Sequence, residues 1–155
     1  MRRGDLIAHV LNHAETDLCR HRAEAPAGLA ARQAAAWDSL LDWARATLGV
    51  SLPVVAGVIA APAAPEALAA LARHIEALDD SRLAALARAT SLAGSAIIGL
   101  ALMHGRLDAA QAFAAATIDE HWSLEHWGED EEARARLDQQ RTEFDCIARF
   151  VASPS

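Results

Sequence analysis

Seven carboxylates and two tryptophans fall between Ile118 and Glu132, in the run Ile118-Asp119-Glu120-His121-Trp122-Ser123-Leu124-Glu125-His126-Trp127-Gly128-Glu129-Asp130-Glu131-Glu132. No basic residue other than histidine interrupts the chain between Arg106 and Arg134. Aromatic surface beside uncompensated negative charge suits the docking of a protein partner: the rings supply contact area, and the charges set orientation and encounter rate. Catalysis would ask for a nucleophile with a base, a metal set or a phosphate cradle nearby, and the run supplies none.

Other residues with chemical potential are weaker. His9 and His13 are four apart, a metal-like spacing on a helix. No Glu follows His9, so this is not the metalloprotease motif, and solvent-facing histidines are the expectation. His121 and His126, five apart, would point about 140° from one another on a helix and do not share a metal. Cys19 and Cys146 are too few for a disulfide scaffold and read as reduced packing residues. No Gly-rich phosphate loop, Gly-x-Ser-x-Gly elbow or paired Cys/His motif occurs. The chain is therefore expected to be no enzyme and to need no cofactor or metal.

Within the run, Asp119, Trp122 and His126 share one side of a helix, and Glu120 and Trp127 share a neighbouring one. One tryptophan is expected in the core and the other partly exposed. The residues alone leave two alternatives for the acids. Either Asp119 and Glu120 pair internally, with an arginine such as Arg22 or Arg88, or they form a patch for a cationic partner. Glu129 to Glu132 reads as a solvated helix start whose crowding a cationic partner would relieve.

The string Ile-Asp-Glu-x-Trp-x-x-Glu-x-Trp-Gly-Glu, followed by an acidic helix, resembles the signature of the Atp-twelve family, the assembly chaperones of the F-type ATP synthase α subunit. Thr16-Asp17-Leu18-Cys19-Arg20-His21-Arg22-Ala23-Glu24 is similar to that family's Thr-Asp-Leu-x-Cys-Tyr-Arg-Ala segment. Gln33-Ala34-Ala35-Ala36-Trp37-Asp38-Ser39-Leu40-Leu41-Asp42-Trp43 is similar to its Gln-x-x-x-Trp-Asp-Pro-Leu-Leu-x-Trp segment, and Ser91 to Leu102 has its flavour. The resemblance spans about Asp5 to Phe150. Ser123 stands where the family has Gln, Ser39 where it has Pro, and His21 where it has Tyr.

The resemblance implies a chaperone that binds the free α subunit and shields its sticky interface until a β subunit takes over. It implies Asp119, Glu120, Trp122, Glu125 and Trp127 as partner-binding residues. The family's sensitive acid lies in this motif, and Asp119 aligns best with its first Glu. Arg22, Trp37 and Asp38 are expected as structural supports. The family's β-rich N-terminal domain has no counterpart here, so residues 1–155 are expected to form one helical domain similar to the family's C-terminal one. A cytoplasmic bacterial protein, with family relatives in the mitochondrial matrix, and a monomeric state are the corresponding expectations. Two further readings belong to other classes: a helical adaptor with a different client, and a small-molecule-binding bundle with a pocket lined by Trp37, Trp43 and Ile97.

Composition narrows the field. The 155 residues carry a net charge of −7, which argues against nucleic acid, because phosphate binding needs clustered cations. All fourteen strongly basic residues are Arg, a pattern that goes with the Ala excess as codon usage. The longest apolar run, Ala96 to Met103, is far short of the roughly 20 residues a bilayer span requires.

These residues need elements to position them. Asp5 to His13 reads as a short helix, and Thr16 to Glu24 as a polar, extended connector whose Asp17, Arg20 and Arg22 form ion pairs. Pro26 opens a helix running to about Leu48, closed by Gly49, with a stripe of Leu29, Gln33, Trp37, Leu40, Leu41 and Ala44 in which Gln33 is the polar exception. Val50 to Ile59 is β-branched and apolar and reads as one or two short strands, with Pro53 holding the first to an edge. With no β-rich domain to pair with, it is expected as an irregular arm. Pro65 opens a helix to Leu78. Asp80 caps a central helix from Ser81 to His104, whose Ser91, Ser95 and Gly99 form a ridge of small residues. Asp108 caps a helix from Ala109 to Trp127, Gly128 stops it, and a last helix runs from Glu129 to Val151 with a stripe of Leu137, Phe144, Ile147 and Val151. The fold class is mostly α, a bundle of five or six helices with a short extended element near residues 50–59.

Overall fold

The structure is a computed structural model that describes residues 2–56 and 62–153. Eight α-helices occur among them: α1 (Arg3–Glu15), α2 (Ala27–Trp43), α3 (Pro65–Glu76), α4 (Asp80–Ala93), α5 (Ala96–Met103), α6 (Ala109–Ala116), α7 (Ile118–Trp127) and α8 (Glu131–Ala152). A mostly helical bundle is thus the architecture, with more helices than the hydrophobic stripes indicate, because two expected helices are each broken once.

The first break separates α4 from α5. Gly94 takes a left-handed φ of 67°, which glycine adopts without a Cβ penalty. Ser95 then turns extended, and its hydroxyl oxygen accepts the Ile98 N–H at 3.0 Å. Ser95 is therefore a helix cap and not a rung in a ridge of small residues. Gly99 does mark a close approach: a Cβ there would lie 3.0 Å from the Thr90 hydroxyl and 3.2 Å from Leu86. Every residue of α5 from Ala96 to Leu102 is buried, so this short helix is apolar all round and fills the centre of the bundle. The helices α1, α2, α4, α6 and α8 all contact it, and α2 also contacts α7.

The connector after α1 is not the exposed polar strap its composition suggests. Asp17, Cys19 and Arg20 are fully buried. A short 3-10 turn (Leu18–Arg20) docks on the α4/α5 break, with the Leu18 N–H donating to the Gly94 carbonyl. Asp17 accepts the Ser95 hydroxyl at 2.6 Å, the Ile97 N–H at 3.1 Å and the Cys19 N–H at 3.1 Å. A buried carboxylate is tolerated because it meets the unpaired N–H groups at the start of α5. Burial raises its pKa, and those hydrogen bonds pull in the other direction. Burial, with the adjacent Asp17 charge, also pushes the Cys19 thiol well up. The Arg20 guanidinium donates to the backbone carbonyls of Glu15 and Pro53.

The connector also supplies a strand partner that the sequence reading lacked. β1 (His21–Arg22) pairs in parallel with β2 (Val55–Ala56), in the register His21 to Val55 and Arg22 to Ala56. The apolar stretch after α2 is thus seated against its own chain as far as Ala56. The rest of that expected extended element, Gly57 to Ile59, lies outside the described residues.

Chain punctuation elsewhere follows local chemistry. α2 continues through a π turn (Ala44–Leu48) to Gly49 at a φ of 70°. Asp79, one residue before the expected cap, accepts the Arg82 N–H at the start of α4. Asp108 and Gln111 form a reciprocal capping box on α6. Asp130 caps α8, and Leu137, Phe144 and Ile147 of its stripe are buried.

Candidate protein-docking site

The acidic, tryptophan-bearing run forms α7, which is separated from α6 at Thr117. The Thr117 hydroxyl donates to the Phe113 carbonyl at 2.6 Å, and its backbone leaves the helical region at φ −124° and ψ 28°. A threonine that bonds the carbonyl four residues back competes with the helical ladder. The expected single helix from Ala109 to Trp127 is corrected accordingly. The break lets α6 stay in the core through Ala112, Phe113, Ala115 and Ala116, while α7 buries only Leu124 fully.

α7 is seated against α2. Trp122 is half-buried and lies so close to Gly28 that a Cβ at that position would sit 2.7 Å from the indole. The Arg32 guanidinium stands over the Trp122 ring at 4.9 Å from its centroid, and His126 stacks on the indole at 3.9 Å with an interplanar angle of 18°. Arg32 also pairs with Glu125 at 2.6 Å. Its guanidinium holds the Glu125 carboxyl below the usual carboxylate range. Gln33, the polar exception in the α2 stripe, is a relay. Its side-chain N–H donates to Asp119 at 2.8 Å, and its oxygen accepts the Ala23 N–H at 2.7 Å.

The five expected partner-binding residues therefore fall into two groups. Asp119, Trp122 and Glu125 are engaged with α2. Glu120 and Trp127 face outward, and Trp127 is 86% exposed. Partial desolvation raises the Glu120 pKa, and the Asp119 charge adds to that. Of the acidic block, Glu129 pairs with Arg134 at 3.1 Å and Asp130 is the α8 cap, while Glu131 and Glu132 occupy the first turn beyond it. The internal pairing considered for Asp119 and Glu120 takes other routes. Arg22 pairs with Asp38 at 2.6 Å and stands over Trp37, and Arg88 pairs with Glu143 at 3.3 Å.

Two residues of α2, and His126 of α7, were not picked out by sequence for these contacts. Gly28 and Arg32 are four apart and share the α2 face that meets α7. The signal for Gly28 was a glycine inside a helical segment, which marks close approach. Arg32 carried no comparable mark, and neither did the stacking of His126.

The remaining candidates are structural. His9 accepts or donates to the Ser91 hydroxyl at 2.5 Å, and His13 bonds the His9 carbonyl at 3.0 Å. No group of three or more potential metal ligands occurs among the described residues. Trp37 is 1% exposed, with its indole N–H donating to the Ala115 carbonyl, and Ile97 is fully buried. Trp37 and Ile97 are thus core residues, and Trp43 is partly buried against the same core. Arg22, Trp37 and Asp38 act as the supports that the sequence indicated. No helix of the described residues is long and apolar enough to cross a membrane.

No family model matches the sequence. Solved structures do. Atp12 from Paracoccus denitrificans is similar at 39% identity and a TM-score of 0.91, covering 95% of this chain and 63% of that one. An aspartate-to-lysine mutant of the P. denitrificans protein is similar at 38% identity and the same TM-score of 0.91. The Atu1473 protein from Agrobacterium tumefaciens, whose structure is described as that of a candidate chaperone, is similar at 41% identity and a TM-score of 0.88, covering 96% of this chain and 56% of that one. The chain thus spans 63% or less of the length of these relatives. With 39% identity over 95% of the chain and a shared fold, the chain is similar in both sequence and structure to Atp12 over the part that the two share.

Proposed function

We propose that this chain is a molecular chaperone for assembly of the F-type ATP synthase, acting in the bacterial cytoplasm without catalysis of its own. It binds the free α subunit and keeps it from aggregating before α and β subunits assemble. The observation that carries this reading is the outer face of α7. Trp127 is exposed over 86% of its surface, with Glu120 on the same helical face and Glu131 and Glu132 beyond the turn. A tryptophan so exposed is costly to leave in water and supplies the kind of anchor that dominates protein interfaces. The surrounding carboxylates orient a cationic client and speed its arrival. Asp119 and Trp122 hold this face against α2.

The test is aggregation of purified ATP synthase α subunit with and without the chain, at equal molarity and at two salt concentrations. Suppression that weakens as salt rises is the expected result, since exposed charges are screened over about 8–10 Å. Undiminished aggregation at both salt concentrations would show that this helical domain does not protect the α subunit, and capture of a different client would favour the adaptor reading.

A further inference from the structure

The Trp122 indole stacks on His126 and lies 4.9 Å from the Arg32 guanidinium, with the Glu125 carboxylate 2.6 Å from the same guanidinium. An aromatic face with a carboxylate at its edge is a seat for a guanidinium, which stacks and accepts a planar ion pair at once; an ammonium does only one of these well. The seat is filled by the chain's own Arg32.

Two observations separate this contact from ordinary scaffolding. First, the pair is open to solvent, with the Arg32 and Glu125 side chains 44% and 51% exposed, and an ion pair in that setting contributes little to folding. α7 keeps other anchors without it: buried Leu124, Trp122 on Gly28, and Asp119 on Gln33. Second, Arg32 stands between two apolar grooves of about 450 and 350 Å³. Both are lined by Arg32, Ala114 and Ile118, so departure of the Arg32 side chain would enlarge each of them beside the α6/α7 junction.

We infer that Arg32 is a placeholder, and that the partner docks by placing one of its own arginines against Trp122 and Glu125 while apolar side chains beside it enter the groove that Arg32 vacates. This rests on the protein-docking reading of α7 and states what chemistry the client must present: an arginine flanked by apolar residues. The acidic outer face of α7 draws such a segment in, and exchange of one guanidinium for another leaves Glu125 paired before and after.

The test uses the full chain with Arg32→Ala and, in case alanine perturbs the helix, Arg32→Gln. Arginine amide is titrated while the Trp122 indole N–H signal is followed by NMR. Saturable shifts are expected in the Arg32 variants in the millimolar range, at least tenfold weaker in the unchanged protein, and lost when Glu125→Gln is added to either variant. In a second arm the α subunit is titrated, and the Arg32 variants are expected to bind it several-fold more tightly. Arginine amide that never shifts Trp122 in the Arg32 variants overturns the seat. Unchanged or weaker α-subunit binding by those variants, with the seat open to arginine amide, overturns the placeholder role. Arginine amide binding without α-subunit binding by any form of the protein leaves the seat standing and refutes the client.

Discussion

The connector between α1 and α2 and the outer face of α7 both concentrate charge, and they spend it differently. In the connector, Asp17 and Arg20 are fully buried, and each polar group faces a backbone partner at the end of another element. On α7, Glu120 and Trp127 face solvent, and Trp127 is 86% exposed. A polar group taken out of water must be matched inside the fold, which makes it architecture. An aromatic left in water beside unmatched acids has its match elsewhere, which makes it a candidate for recognition. The inner side of α7 lies between these extremes: Asp119, Trp122 and Glu125 are matched by α2, through contacts open to solvent.

The largest separation of the two regions comes from Asp17→Ala. It strands the Ile97 and Cys19 N–H groups and the Ser95 hydroxyl in the core, and a loss of about 3–5 kcal/mol is expected. Urea denaturation measures it, and the folded fraction should bind the α subunit as before. The mirror case is Trp127→Ala. Stability should stay within about 0.5 kcal/mol, while affinity for the α subunit falls by roughly thirtyfold, the effect of about 2 kcal/mol at an interface hot spot. Equal destabilisation by the two variants would erase the distinction between them.

Charge reversal sharpens the comparison inside α7. Asp119→Lys together with Glu120→Lys should abolish α-subunit binding. Taken singly, Glu120→Lys should weaken binding with no loss of stability, whereas Asp119→Lys should also cost about 1 kcal/mol through its bond from Gln33. Calorimetric titration with parallel thermal melts distinguishes the two. Gly28→Ala is smaller and more local. The added methyl displaces the Trp122 indole, so near-ultraviolet circular dichroism should change while far-ultraviolet helicity does not.

The smallest effect concerns pH. Burial lowers the His104 pKa below 6.5, with His74 nearby adding to it, where the ring meets Trp43 at 5.7 Å. A histidine with a depressed folded pKa contributes stability that is present above the unfolded value and lost as pH falls through the folded one. The thermal midpoint should therefore decline as pH drops below about 6.5, with a shallower decline in His104→Phe. An unchanged slope in that variant would assign the decline to other groups.

Local signals carried much of the fold. Pro26, Pro65, Gly49, Gly128 and the Asp108 cap stand where their backbone preferences place them. The α8 stripe buries the side that its periodicity marks, and Gln33, conspicuous as a polar residue in an apolar stripe, does have a polar task. Two helix breaks were not legible, although their residues were in plain sight. Gly94 inside an apolar run is compatible with a continuous helix until Asp17, 80 residues from Ile97 along the chain, arrives to satisfy the freed N–H groups. Thr117 is likewise compatible with a helix interior, and only the packing of α6 in the core and α7 against α2 selects the turn. The same holds for the site: composition and spacing marked α7, while the division between its engaged and outward-facing residues depended on Gly28, Arg32 and Gln33 of another helix.

The sequence by itself determined a helical protein with an acidic, tryptophan-bearing helix near its end, because helix propensity, capping and hydrophobic period are encoded within a few neighbouring residues. Tertiary structure decided which charges are interior, where two helices break, and which side of α7 is left for a partner. Those outcomes turn on desolvation, and whether a polar group loses water is set by residues distant in the chain that come to lie against it.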